Sequence, residues 1–164
     1  MVDSAYLTEA IKESAKKLYS TMLSLELTTE EAFEGHRELE TDDKIVALIG
    51  FASAYKGGMA VYFPVEVALK SASAMLGIEV KEVNDDVKDA IGEIVNIVAG
   101  GTKTALYKEN ITFELSLPAV IVGKKYSVYF DAIHKTFPQI VVPFLLEGKR
   151  FYVECSLEKE GSEN

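Results

Sequence analysis

Cysteine occurs once in the 164 residues, at position 155, and histidine twice, at 36 and 134. A lone thiol cannot close an internal disulfide, and Cys155 falls in an alternating strand pattern that reads as inward-facing and inert, which suits a reducing compartment. Neither His36 nor His134 has a cysteine or a carboxylate cluster at ligand spacing, so no metal site is expected. Basic charge is also short, with 17 Lys plus Arg against 26 Asp plus Glu and a net charge of −9. A surface of that sign repels nucleic-acid phosphates and anionic membranes, and neither is expected as a partner. No run approaches the roughly 18 uninterrupted apolar residues of a membrane span, and the start of the chain, with Asp3 and Glu9, has no basic-then-apolar leader pattern. The expectation is a soluble, cytoplasmic protein. Lys56-Gly57-Gly58 lacks the consensus of a nucleotide loop, and no nucleophilic triad is present.

What is there is enough apolar residue, 48% of the chain, for one domain over residues 1–164, with 158–164 expected to be a frayed polar tail. Leu7, Ile11, Ala15, Leu18, Met22 and Leu25 recur at helical steps, with Asp3 or Ser4 available as a cap. The polar stretch 28–43 has no clear period, with a weak strand signal around 36–40. Two strand-like runs, 44–54 and 59–63, are separated by Tyr55-Lys56-Gly57-Gly58, which reads as a hairpin turn. Pro64 opens a short second helix that Gly77 closes. Asn84 caps a third helix running to about Tyr107, with Asp85 and Asp86 in its first turn, where the dipole favours anions. Segments 111–122, 139–146 and 150–157 are strand material, the last two turned by Glu147-Gly148-Lys149. In the last strand Phe151, Val153, Cys155 and Leu157 alternate with Arg150, Tyr152, Glu154 and Ser156, the pattern of one buried and one wet face. This order predicts an α+β fold, an antiparallel sheet flanked by helices. Ala10-Ile11-x-Glu13 and Ala90-Ile91-x-Glu93 match at a constant offset of 80 residues, a hint of internal duplication that three matched residues leave open to chance.

The third helix departs from an ordinary amphipathic pattern. Val87, Ile91, Ile94, Val95, Val98 and Ala105 form its core face, while Asp86, Asp89, Glu93, Asn96, Gly100 and Lys103 make a continuous polar stripe opposite. Such a stripe can be a solvated surface. Three glycines, Gly92, Gly100 and Gly101, each cost about 1 kcal/mol relative to alanine in a helix interior, so something must offset them. Close packing against a neighbouring element suits Gly92 and Gly101, and a kink or helix end is a further alternative. Gly100 lies on the stripe, one turn beyond Asn96, where a missing side chain lets a foreign group come near the amide. Asparagine itself is a poor mid-helix residue, with no capping duty at position 96.

Asp89-x-x-x-Glu93-x-x-Asn96-x-x-x-Gly100, within Asp-Ala-Ile-Gly-Glu-Ile-Val-Asn-Ile-Val-Ala-Gly-Gly-Thr-Lys, resembles the signature helix of the CheC/CheX/FliY family of chemotaxis phosphatases. The N-terminal helix, the Gly57-Gly58 hairpin, Pro118 and the strand-rich end fall in the family's order. CheC-like members carry the Glu and Asn pair in both halves and CheX-like members in one. Here the first half reads Glu13-x-x-Lys16, so the resemblance implies a single, CheX-like site on a pseudo-duplicated CheC-like fold. It also implies a homodimer joined at sheet edges, a phosphorylated CheY-like response regulator as substrate, and room for a CheD-like partner.

The resemblance further implies roles for the stripe. Acyl-phosphate hydrolysis needs a placed water more than covalent help, because aspartyl carboxylate leaves easily and the regulator's own Mg²⁺ and Lys stabilise charge. No cofactor of the chain's own is expected. A carboxamide can hold the water, its oxygen accepting while its NH₂ donates, and Asn96 takes that role. Glu93 would contact the regulator's active-site lysine, Asp89 would be an orienting charge, Gly100 would give clearance, and Lys103 would complete the partner-binding surface. A non-catalytic module docking a regulator through the same stripe is the competing reading.

Overall fold

The computed structural model describes residues 2–35, 44–123 and 139–161. Its elements run α1 (Ser4–Thr21), β1 (Leu27–Thr29), β2 (Phe33–Glu34), β3 (Lys44–Ala52), β4 (Tyr55–Pro64), α2 (Val65–Leu76), α3 (Asp85–Tyr107), β5 (Glu114–Leu115), β6 (Ala119–Gly123), β7 (Gln139–Leu146) and β8 (Lys149–Lys159). Local chemistry sets the helix ends. The Asp3 carboxylate accepts from the backbone N–H of Ala5 and Tyr6, and the Asn84 side chain accepts from Val87 N–H at 2.9 Å. Gly77 ends α2 at φ 71°, a left-handed position that glycine adopts without strain. α1 stops at Thr21, so Met22 is 56% exposed where helical periodicity had put it on the core face.

All strands among the described residues are antiparallel in one sheet, ordered β1-β7-β8-β4-β3-β5, with β6 also on β3 and β2 also on β7. The order explains the matched Ala-Ile-x-Glu segments. Hairpins β3–β4 and β7–β8 meet at the centre through β4 and β8, while β1, following α1, pairs with β7 of the other hairpin. In the same way β6, following α3, pairs with β3. Exchanging the two halves therefore leaves the order unchanged, which is the topology of a pseudo-duplicated α+β domain.

The helices lie on one face of this sheet. Ile11 and Leu18 of α1, Val67 and Ala72 of α2, and Ile91, Ile94 and Val98 of α3 join the inward side chains of β3, β4, β7 and β8 in one core. Phe151 stacks between Phe63 and Phe144 at 5.1 and 5.3 Å. The buried Tyr19 hydroxyl shares a 2.8 Å hydrogen bond with Ser71 Oγ, tying α1 to α2.

Four sequence readings are corrected. The β3–β4 turn is at Ser53 and Ala54, with Ser53 at φ 92°, and Tyr55 to Gly58 belong to β4. Gly57 does supply a positive φ, 144°, and is required for a second reason: it lies so close to β8 that a Cβ would strike the Ser156 carbonyl. The run 111–122 is two strands, because Ser116-Leu117-Pro118 breaks the ladder between β5 and β6. The second face of β8 is not wet: Tyr152, Glu154 and Ser156 are all buried, because β8 is central and Val46, Ala60, Tyr62, Val141 and Tyr152 form a second apolar cluster there. The presumed frayed end is partly structured, since Glu158 and Lys159 pair with Lys56 and Tyr55 and Glu160 N–H donates to Ala54 O. The weak signal at 36–40, His36 and His134 lie outside the described residues.

Cys155 is fully buried, and desolvation pushes its thiol well above the ordinary range, with the Glu154 charge adding to the effect. The native thiol is therefore expected to stay unreactive toward a disulfide reagent at pH 8 and to titrate only on unfolding. Stoichiometric modification of the folded protein within minutes, read by absorbance, would contradict that burial.

Candidate functional site

α3 runs for 23 residues and buries Val87, Ile91, Ile94, Val95 and Val98, so its opposite face is fixed in direction by the core. That face carries the stripe. Asp86, Asp89 and Glu93 are exposed, and Asn96, Gly100 and Lys103 are half-buried. Among the described residues, no hydrogen bond or ion pair engages the Asp89 or Glu93 carboxylate or the Asn96 carboxamide. From Glu93 to Asn96 the helix rises about 4.5 Å, so both side chains can address one small group.

The three glycines separate cleanly. A Cβ on Gly101 would collide with Ser14 Oγ of α1, and the Ser14 hydroxyl donates to Val98 O at 2.8 Å, so Gly101 serves close helix packing. A Cβ on buried Gly92 would make ordinary contact with Val120 at 3.5 Å and Pro118 at 3.8 Å. A Cβ on Gly100 would meet nothing within 4 Å. Among the described residues no neighbour requires that glycine, and the open space lies one turn from Asn96.

The segment after α3 flanks the stripe. A shallow depression of about 300 Å³ beside Glu93 is lined by Lys88, Asp89, Gly92, Glu93, Pro118 and Val120. At the other end Lys103 lies 3.5 Å from Glu114 of β5. With Glu114 78% and Lys103 37% exposed, this ion pair contributes at most about 1 kcal/mol and can exchange for another partner. The pseudo-equivalent helix α1 presents Glu13 and Lys16 outward and has no amide at the matching place. The Glu and Asn pair occurs once where the duplicated fold could carry it twice. Sequence reasoning found the stripe through its helical period but missed the flank: Glu114, Leu117 and Val120 sat in a run that looked like ordinary strand. Pro118, the ladder-breaking residue, was the available signal.

No group of three or more metal-ligating side chains occurs among the described residues. No described helix is long and apolar enough to cross a membrane.

An antiparallel sheet of two interleaved halves carrying three helices is the fold of the CheC-like chemotaxis proteins. Residues 45–145 match the family described as the chemotaxis phosphatase CheX, and the chain belongs to that family. A curated relative, the CheY-P phosphatase CheX of Thermotoga maritima, is 29% identical over 91 residues, which span 55% of this chain and 59% of that protein. The solved structure of chemotaxis protein CheX from Vibrio vulnificus superposes with a TM-score of 0.82 at 27% identity, covering 93% of this chain and 99% of that one. CheX in the Borrelia burgdorferi CheX–CheY–BeF₃–Mg²⁺ complex superposes with a TM-score of 0.75 at 23% identity, covering 97% and 100%.

Proposed function

We propose that this protein hydrolyses the phospho-aspartate of a CheY-type response regulator, using Asn96 to place the attacking water and Glu93 to engage the regulator's cationic groups. The observation that carries the reading is the unengaged Glu93 and Asn96 pair on the outward face of α3, with empty space beyond it at Gly100. The relatives support it: one is named as a CheY-P phosphatase, and another was solved with CheY, Mg²⁺ and beryllofluoride, a phosphoryl mimic.

In this reading the regulator brings the phosphoryl group, Mg²⁺ and a lysine to α3. The Asn96 oxygen accepts a hydrogen bond from the water, holding its lone pair in line with the scissile bond. The water oxygen bonds to phosphorus, the P–O bond to the aspartyl carboxylate breaks, and the carboxylate leaves with the bonding pair. The water's proton goes to the departing phosphate or to solvent. Asn96 is not a base. Glu93 pairs with the lysine, which keeps its charge off the phosphoryl oxygens. Asp89, one turn further back, orients the same cationic surface, and Lys103 contacts the regulator at the far end of the stripe. The family's homodimer is part of the proposal.

Substoichiometric protein, mixed with a purified CheY-type regulator phosphorylated by acetyl phosphate, is expected to speed phosphate release at least tenfold over autohydrolysis. Stoichiometric binding with an unchanged release rate would instead identify a docking module.

A further inference from the structure

We propose that Leu117 is an apolar anchor for the response regulator, setting its affinity from beside Asn96 without touching the reacting atoms. This rests on the function proposed above. Leu117 is 90% exposed, more than any other large hydrophobic side chain among the described residues. Single exposed leucines are common. This one is held in place. Ser116 N–H donates to Gly50 O at 2.9 Å, Ser116 Oγ accepts from Gly50 N–H at 2.8 Å, and the same hydroxyl donates to Leu117 O at 3.0 Å. Pro118 follows with its φ fixed by the ring. The backbone of so constrained a corner loses little freedom when a partner covers it, so less of the buried apolar area is offset by the cost of ordering a loop.

Its position follows from two contacts. The segment 111–120 runs back along α3, with Glu114 on Lys103 at one end and Pro118 and Val120 beside Gly92 and Glu93 at the other. Leu117 lies between them, on the flank of the stretch that carries Asn96 and Gly100. Lys103 is about 10 Å and Gly92 about 6 Å from Asn96 along the helix axis. A standard interface covers about 800 Å² per partner, a disc of roughly 16 Å radius. A regulator whose footprint is centred on Asn96 therefore also covers this flank and Leu117. The matching surface on the regulator is an apolar patch bordering its phospho-aspartate pocket.

The test is steady-state dephosphorylation of a purified CheY-type regulator by Leu117→Ala and Leu117→Asp, with Asn96→Ala in parallel. Leu117→Ala should raise KM about tenfold with kcat within twofold, and Leu117→Asp should raise it further. Asn96→Ala should show the reverse split. Titration of the same Leu117 variants with the beryllofluoride- and Mg²⁺-loaded regulator should show the same weakening, which makes the anchor testable apart from turnover. If Asn96→Ala is inactive while both Leu117 variants keep wild-type KM and binding, the anchor is wrong and the function stands. If Asn96→Ala keeps full kcat, the catalytic reading falls, and the titration alone decides the anchor. Loss of a dimer by sedimentation with unchanged regulator affinity would assign Leu117 to self-association and overturn the proposal.

Discussion

Asn96→Ala is expected to slow phospho-aspartate hydrolysis at saturating regulator by about a hundredfold or more, with no loss of stability. The size follows from what the amide does. In the proposed mechanism it supplies no proton and no bond; it converts a freely tumbling water into one held in line, and misplacing a reacting group by about 1 Å can cost on the order of a hundredfold. Alanine has neither acceptor nor donor, so no position of the methyl group can replace it. The stability side is equally definite. Among the described residues the Asn96 side chain makes no hydrogen bond that substitution would break, and alanine is the better helix former by roughly 0.6 kcal/mol. The thermal midpoint should therefore stay level or rise slightly. A residue kept for the fold would behave in the opposite way, losing stability first and activity as a consequence. Stopped-flow phosphate release and a melting curve on the same preparation separate the two, and an Ala variant with wild-type kcat would remove the placed-water mechanism.

Most of what positions this site can be read from the residues, because a helix repeats every 3.6 residues and its caps are local. Asn84, Asp85 and Asp86 mark the start of α3, and the apolar face from Val87 to Val98 fixes which side turns outward. The period then lines up Asp89, Glu93, Asn96 and Gly100 without knowledge of any other element. What could not be read depends on contacts distant in sequence. The buried second face of β8 arises because β4 and β7 flank it and contribute Ala60, Tyr62 and Val141 to a second cluster, so an alternation that looks half-wet is dry on both sides. The glycine at position 57 was legible for its positive φ but not for its close approach to Ser156 of β8, about a hundred residues later in the chain. The same limit hid the flank of the site. Leu117 reads as part of a strand until the break at Ser116-Leu117-Pro118 turns it outward, and only the tertiary contact of Glu114 with Lys103 shows that this corner borders α3.

Gly100→Ala is expected to stabilise the protein and impair it, and its neighbour Gly101→Ala to do damage of a different kind. At position 100 a Cβ meets nothing within 4 Å, so helix propensity alone acts and should contribute about 1 kcal/mol, or roughly 2–4 °C in Tm. In the proposed complex that methyl group would stand where the regulator's backbone or phosphoryl oxygens approach Asn96. A tenfold or larger fall in kcat/KM is expected, larger still for Gly100→Leu. At position 101 the Cβ collides with Ser14 Oγ and lies 3.0 Å from its Cβ, forcing α1 and α3 apart and straining the Ser14 bond to Val98 O. There the expected result is a loss of about 1–3 kcal/mol, with activity falling only as far as folding does. The contrast is informative because the two residues are adjacent and identical, so propensity contributes equally and cancels. A Gly100→Ala variant that gains stability and keeps full kcat/KM would mean that nothing approaches α3 at that point, and the regulator would have to dock in some other way.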